Sequence, residues 1–208
     1  MPVVPHYFDA EPAARSQRRD VSLVLPDVDL RLTTDSGMFA ADRVDAGTRF
    51  LLRRAPPPPT AGELLDLGCG YGVIGVTLAL RSPGARVWAV DVNQRALELT
   101  RINAVAAGAS GIVAATPDQV SPAVTFDAIY SNPPVRVGLS VLHPMLAHWL
   151  DRLTPQGAAY LVVHRHLGSD SLARWLAGEG FACTRLASHA GYRIIRVQPR
   201  QPVEDDRQ

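Results

Sequence analysis

The stretch Glu63-Leu-Leu-Asp-Leu-Gly-Cys-Gly-Tyr-Gly-Val-Ile-Gly75 constrains the fold more than any other part of this chain. Glu63 to Leu67 is a short apolar run that carries one inner carboxylate, Asp66. Gly68, Gly70 and Gly72 then make a glycine-dense turn, and Val73, Ile74, Val76, Leu78, Ala79 and Leu80 read as a helix. Strand, tight glycine turn and helix N-terminus form a pocket of the nucleotide-binding type. The glycines allow positive φ and let backbone approach a ligand closely. The spacing is G-x-G-x-G, with Val73 where a dinucleotide fingerprint would place its third glycine, which argues against a nicotinamide dehydrogenase.

The turn alone is a weak signal, and two further features strengthen it. Arg86-Val-Trp-Ala-Val-Asp91 is a second apolar run ending in a carboxylate, placed where ribose hydroxyls are bound in such folds. Downstream lies Ser131-Asn-Pro-Pro134. From residue 62 the pattern is strand then helix, repeated. Strands are expected near 63–67, 86–91, 112–116, 126–131 and 157–164, and helices near 73–81, 93–107, 139–153 and 170–179. Asn93 and Ser169-Asp170 are the expected N-caps. Residues 117–125 are too short for a full helix, and 183–188 with 192–198 read as a closing antiparallel hairpin. This predicts a doubly wound, mostly parallel, seven-stranded Rossmann-like sheet with an antiparallel C-terminal edge.

Before the sheet, residues 21–25 and 28–32 alternate around Pro26-Asp27 and predict a hairpin. Residues 44–54 predict a helix with Val44, Thr48, Leu51 and Leu52 on one face. Pro56 to Pro59 is a stiff connector. The chain thus divides into 1–59 (arm, hairpin and helix), a sheet domain over 60–199, and a polar tail over 200–208. His6-Tyr-Phe8 in the arm reads either as cover for the core edge or as a lip over the substrate pocket.

The chain holds 208 residues with net charge +1, so any contact with nucleic acid must be local. All 21 basic residues are Arg, which reflects base composition but also suits phosphate binding and base stacking. The beginning, Met-Pro-Val-Val-Pro-His, lacks the charged and apolar regions of a signal peptide, and no apolar run is long enough to span a membrane. Cys69 and Cys183 lie in unlike contexts and suggest neither a disulfide framework nor a metal site. A cytoplasmic location is expected. His143 and His148, five apart, make a poor helical metal pair, so no metal is expected.

Ligands bind beyond the C-terminal strand ends of an open sheet, which places Asn132 near the Gly68–Gly72 turn and Asp91. Pro133 and Pro134 stiffen the segment and remove two N–H donors. The Asn132 side-chain oxygen and the carbonyls of the turn are then acceptors for both hydrogens of an exocyclic amino group. Such bonding pulls the nitrogen out of planarity and aims its lone pair at an electrophile.

These residues resemble the class I S-adenosylmethionine-dependent methyltransferases. They are most similar to the methyltransferase small domain family, which includes ribosomal small-subunit RNA guanine-N2 methyltransferases. The resemblance runs through His6-Tyr-Phe8, Thr34-Asp-Ser-Gly-Met-Phe39, Val44-Asp-Ala-Gly-Thr48, Asp66 to Gly75, Asp91-Val-Asn93, Asn103-Ala104 and Ser131-Asn-Pro-Pro134. It implies S-adenosylmethionine as cofactor. Asp66 would orient its amino-acid end, and Gly68, Gly70 and Gly72 would leave room for the methionine. Asp91 would bind the ribose, Val92 would lie on the adenine, and Asn132, Pro133 and Pro134 would hold the target amino group.

Three departures from the family are visible. Thr116 stands where relatives often carry an acidic partner for the adenine, with Asp118 nearby as a substitute. Val135 follows Asn-Pro-Pro where many relatives have an aromatic residue, so stacking on the base would fall to Phe39, Tyr71 or Phe8. Leu139 replaces a Lys, leaving Arg136 either as the phosphate or base contact or as a solvated loop charge. His164-Arg165-His166 is a candidate RNA-facing rim. The resemblance implies transfer to guanine N2 in ribosomal RNA. An adenine amino group, a protein glutamine amide, or a non-catalytic cofactor-binding module for RNA remain as alternatives. Larger relatives carry a second domain that 208 residues cannot hold, so a partner subunit or homodimer would supply that surface.

Overall fold

The computed structural model describes residues 15–200. His6, Tyr7 and Phe8, the aromatic arm, lie outside the described residues. Strands β1 (Arg19–Val24) and β2 (Asp29–Thr34) form the expected hairpin. Helix α1 (Ala46–Arg54) follows and is capped by Asp45, whose side chain accepts from Thr48 N. The main sheet is built from β3 (Ala61–Leu67), β4 (Gly84–Val90), β5 (Ile112–Ala115), β6 (Phe126–Ser131), β7 (Leu153–His164), β8 (Phe181–His189) and β9 (Tyr192–Arg200). Between them run α2 (Val73–Arg81), α3 (Gln94–Ala106), α4 (Leu139–Leu150) and α5 (Ser169–Gly178).

The strand order is β5-β4-β3-β6-β7-β9-β8. β3, β4, β5, β6 and β7 pair in parallel, and β9 runs antiparallel between β7 and β8. The chain winds outward from β3 to β5, then crosses to β6 on the other side of β3. The switch point therefore lies between the C-terminal ends of β3 and β6, where open α/β sheets bind ligands. One apolar layer joins the hairpin, α1, α2 and α3 to one sheet face, and a second joins α4 and α5 to the other. The hairpin and α1 thus share a core with the sheet across the proline connector. That connector is itself pinned: Tyr130 Oη donates to Pro56 O at 3.0 Å, and Ser82 Oγ to Pro59 O at 2.7 Å.

Three sequence expectations need correcting. Helix α1 begins at Ala46 rather than residue 44, because Asp45 is its extended cap and Val44 precedes it. The N-cap of α5 is Gly168, not Ser169 or Asp170, because the chain leaves a short 3-10 turn with φ of 92° and only glycine adopts that angle freely. Ser169 becomes the first helical residue, buried, and makes no capping bond. Helix α4 stops at Leu150 rather than 153, because Leu153 already pairs with Phe126. Arg152 secures that early strand start by donating to Val124 O and Ser121 O while lying 4.7 Å over the Trp149 ring.

A buried Asn103 ties the hairpin to the glycine turn. Its Nδ2 donates to Thr33 O and Tyr71 O, both at 2.8 Å, and its Oδ1 accepts from Thr33 N at 2.7 Å. Asn103→Ala would leave three backbone groups without partners, so we expect a loss of roughly 2–4 kcal/mol in urea unfolding, against under 1 for an exposed neighbour.

Candidate active site

Asp66, 0% exposed on β3, replaces the missing side-chain cap of α2. Its Oδ2 accepts from Gly75 N at 2.7 Å. The turn above it holds Gly68 at φ 74°, Gly70 at 54° and Gly72 at 86°, conformations that side chains resist. A Cβ at Gly72 would lie 3.2 Å from the Thr100 Cα, so that glycine is also demanded by packing. Gly68 N and Cys69 N both donate to Val90 O, at 2.9 and 3.0 Å, which locks the turn to the end of β4.

Asp91 follows directly and braces the turn from the far side. Its Oδ2 accepts from Gly70 N and its Oδ1 from Asn93 N, each at 2.9 Å. Asn93 in turn caps α3, as expected, accepting from Arg95 N and Ala96 N. Val92 stands 37% exposed beside this carboxylate. Asp91 N donates to Ala115 O, so Thr116, just past β5, lies one strand further along the same edge. Thr116 opens a short turn in which its N–H donates to Gln119 Oε1, and Asp118 is exposed on that turn.

Burial pushes the Asp66 carboxyl up to about 7; the Gly75 N–H bond opposes this and the nearby Asp91 charge adds to it. Burial also raises Asp91, against bonds from the Asn93, Gly70 and Val92 amides. Asp66 Oδ1 is buried with no hydrogen-bond partner among the described residues. A Cβ at Gly68 would meet nothing closer than Pro134 Cδ at 4.0 Å, so space lies open between the turn and the Asn-Pro-Pro segment. Two strained carboxylates beside an open glycine cradle fit a ligand with hydroxyls and positive charge.

The Asp66 shift has a stability consequence. A carboxyl raised in the folded state contributes fully below its unfolded pKa of about 4, and that contribution is lost as pH rises through the folded value near 7. Asp66→Asn keeps an acceptor for Gly75 N without the charge. We expect it to gain stability relative to wild type between pH 5 and pH 8, by on the order of a few kcal/mol, read by thermal melts across that range.

Asn132 lies just beyond β6, whose last residue, Ser131, donates Oγ to Leu67 O at 2.7 Å and so holds the two strand ends together. Asn132 Nδ2 donates to Asp45 Oδ2 at 2.9 Å and to Thr48 Oγ1 at 3.0 Å. A carboxylate only accepts, so the amide NH2 must face Asp45 and Oδ1 must face away. Pro133 O is engaged by Val135 N at 2.8 Å, which tightens the turn and uses one of its lone pairs.

Two small cavities meet at Asn132. One is lined by the glycine turn with Phe39, Asp45 and Thr48. The other, of about 220 Å3, is lined by Asn132, Pro133, Pro134, Val135, Arg136 and Tyr192 among others. Phe39, Asp45 and Asn132 belong to both. Phe39 is 48% exposed at this junction, whereas Tyr71 is only 4% exposed in the core and offers no free face for a base. Val135 packs partly on the core beneath, and Arg136 is exposed with no acidic partner among the described residues. Leu139 is 59% exposed, past the pocket. His164 lines the second cavity, while His143 stacks on Trp175 at 3.8 Å and lies elsewhere.

Sequence reasoning passed over Asp45, Thr48 and Tyr192. Asp45 and Thr48 were visible only within the Val44–Thr48 motif, and the predicted helix over 44–54 claimed both, with Thr48 on its apolar face. Tyr192 sits in the closing hairpin, and nothing in its own neighbourhood marks it. Gly47 was the available hint: a Cβ there would meet the Tyr192 ring at 2.6 Å and Asp45 Oδ2 at 2.9 Å.

The sheet order, the glycine turn at the switch point and the carboxylate after β4 define a Rossmann-like methyltransferase fold. The methyltransferase small domain model matches residues 29–196, and the chain belongs to that family. It is 32% identical over 196 residues to the Bacillus subtilis protein YbxB, covering 93% of this chain and 98% of that one. It is 38% identical over 145 residues to ribosomal RNA small subunit methyltransferase C of Aeromonas hydrophila, covering 68% of this chain and 42% of that protein. A Streptomyces avermitilis ribosomal RNA large subunit methyltransferase G is 33% identical over 181 residues, 80% of this chain and 44% of that protein. Among solved structures, the T. thermophilus 16S rRNA N2 G1207 methyltransferase RsmC, in complex with AdoMet and guanosine, matches with TM-score 0.75 and 26% identity. That match covers 89% of this chain and 52% of RsmC. The chain thus spans about half the length of the relatives named as ribosomal RNA methyltransferases. No helix among the described residues is long and apolar enough to cross a membrane.

Proposed function

We propose that this protein is an S-adenosylmethionine-dependent N-methyltransferase acting on the exocyclic N2 of a guanine in ribosomal RNA, most consistent with the small subunit. The carrying observation is the fixed orientation of Asn132: Asp45 and Thr48 hold its NH2, which turns Oδ1 into a pre-aimed acceptor. Similarity to RsmC bound to AdoMet and guanosine supports the substrate class.

Bound S-adenosylmethionine supplies an electrophilic methyl group on a sulfonium. Asp91 would receive its ribose hydroxyls, Val92 would lie against the adenine, and Thr116 would border that end. Gly68, Gly70 and Gly72 leave room for the methionine moiety beside Asp66, whose raised carboxyl is relieved by a nearby positive charge. Asn132 Oδ1 and the remaining lone pair of Pro133 O would accept the two amino hydrogens and direct the nitrogen lone pair toward that methyl. Pro134 and Val135 wall the base, Phe39 covers its exposed side, and Arg136 offers an N–H fork to its polar edge or phosphate. Positioning supplies most of the rate, and the surplus amino proton leaves to water after transfer. In this reading residues 60–199 carry the cofactor and residues up to 59 complete the target pocket. A homodimer would enlarge the RNA-binding surface.

The test offers labelled S-adenosylmethionine to the protein with naked RNA, isolated small and large ribosomal subunits, and a soluble protein extract. Label in RNA recovered as N2-methylguanosine is the expected result. Label confined to protein would replace it with an amide methyltransferase. Cofactor binding without label in any fraction would leave a binding module. The relative named for the large subunit makes the subunit comparison necessary.

A further inference from the structure

We propose that α1 and the β8–β9 turn form a track for the single-stranded RNA segment that flanks the target nucleotide. The inference rests on the RNA reading above. It begins from three surface depressions that meet at His189. The largest, about 960 Å3, is lined by Arg43, Arg49 and Arg53, and it shares Phe39, Asp45 and Tyr192 with the cavity at Asn132. The second adds Arg54, and the third adds Arg165 and Arg185.

These cations are uncompensated. Arg43, Arg49, Arg54 and Arg185 have no carboxylate partner among the described residues, and Arg53 donates only to Val24 O at 3.4 Å. Both carboxylates that line the largest depression are taken: Asp42 pairs with Arg19, and Asp45 is held by Thr48 N and Asn132. Arg49 and Arg53 stand four apart on α1, where like charges repel and weaken an isolated helix. In a chain of net charge +1, six arginines without an ion-pair partner among the described residues thus line the face around the pocket mouth: Arg43, Arg49, Arg53, Arg54, Arg165 and Arg185.

The partner this fits is a flexible polyanion whose charges follow one another along a groove. Guanidinium forks bind phosphates bidentately, and the exposed Phe39 and half-buried Tyr192 offer aromatic faces where the strand would enter the pocket. A base seated at Asn132 would leave its neighbours to run past Tyr192 onto α1.

The experiment measures anisotropy of a labelled single-stranded RNA of about 15 nucleotides between about 50 and 200 mM salt, without cofactor. The variants are Arg49→Ala/Arg53→Ala/Arg54→Ala and, as control on the opposite sheet face, Arg174→Ala. Thermal melts confirm folding of each. The triple variant should bind at least about tenfold more weakly, with a log–log salt slope shallower by about two, while Arg174→Ala behaves as wild type. Wild-type affinity and slope in the triple variant would overturn the track. So would polyglutamate of equal charge binding as tightly and losing the same affinity, which would assign the surface to an acidic protein. If RNA binding is lost as expected but methyl transfer goes only to protein, the function reading fails, and the arginine face binds RNA without serving a target nucleotide. If RNA is methylated with unchanged KM in the triple variant, the reverse holds.

Discussion

Asn132→Ala is expected to lower methyl transfer by roughly 10²–10³-fold while leaving S-adenosylmethionine affinity within about twofold of wild type. The asymmetry follows from geometry. Asn132 Nδ2 is held by Asp45 and Thr48, neither bond reaches the glycine turn, and the residue lines both cavities with its oxygen turned away from Asp45. Removing it deletes the acceptor that directs the amino group and leaves Asp66, Asp91 and the glycines in place. Asp45→Asn separates orientation from presence. An amide at 45 both donates and accepts, so Asn132 is no longer forced to present Oδ1, and a smaller loss of about tenfold is expected from misorientation. Single-turnover rates at saturating cofactor, with cofactor binding measured separately by calorimetry, read both variants. Equal rates for wild type and Asn132→Ala would remove this residue from the chemistry.

Asp91→Ala should act on the other half of the site, weakening cofactor binding by at least about 100-fold. The side chain plays two parts here. Its oxygens accept from Gly70 N and Asn93 N, so it holds the glycine turn against the start of α3, and their remaining lone pairs are what a ribose would meet. Alanine removes the brace and the ligand's acceptor together. Asp91→Asn is not a mild substitute, because both oxygens face N–H donors and an amide must turn its own NH2 toward one of them. We expect Asp91→Asn to lose at least about tenfold in affinity by equilibrium dialysis with labelled cofactor. An unchanged affinity in either variant would mean that the cofactor lies elsewhere.

Much of this molecule was readable along the chain. Apolar runs of strand length alternating with helical periods from residue 62 onward predicted the parallel sheet, because period and crossover handedness are local and topological constraints. Asn93 declared itself as a cap by standing before a helical pattern. Ser169-Asp170 did so falsely, since the backbone reaches α5 through a left-handed Gly168 and leaves no extended residue for a side-chain cap. The end of α4 was overestimated because helical periodicity continues to residue 153, while pairing between Leu153 and Phe126 claims those residues for the sheet.

The sequence by itself determined the glycine turn, the carboxylates at 66 and 91, and the Asn-Pro-Pro segment, because each depends on backbone conformations and functional groups set by neighbouring residues. It also determined their order along a parallel sheet, which brings strand ends to one edge. Only the tertiary structure decided which way Asn132 points. That direction comes from Asp45 and Thr48, more than eighty residues earlier, meeting the end of β6 across the switch point. Tyr192 and the arginine face belong to the same class. They arise where α1 packs beside β7 and β9, and a contact between distant segments leaves no period or motif in either of them.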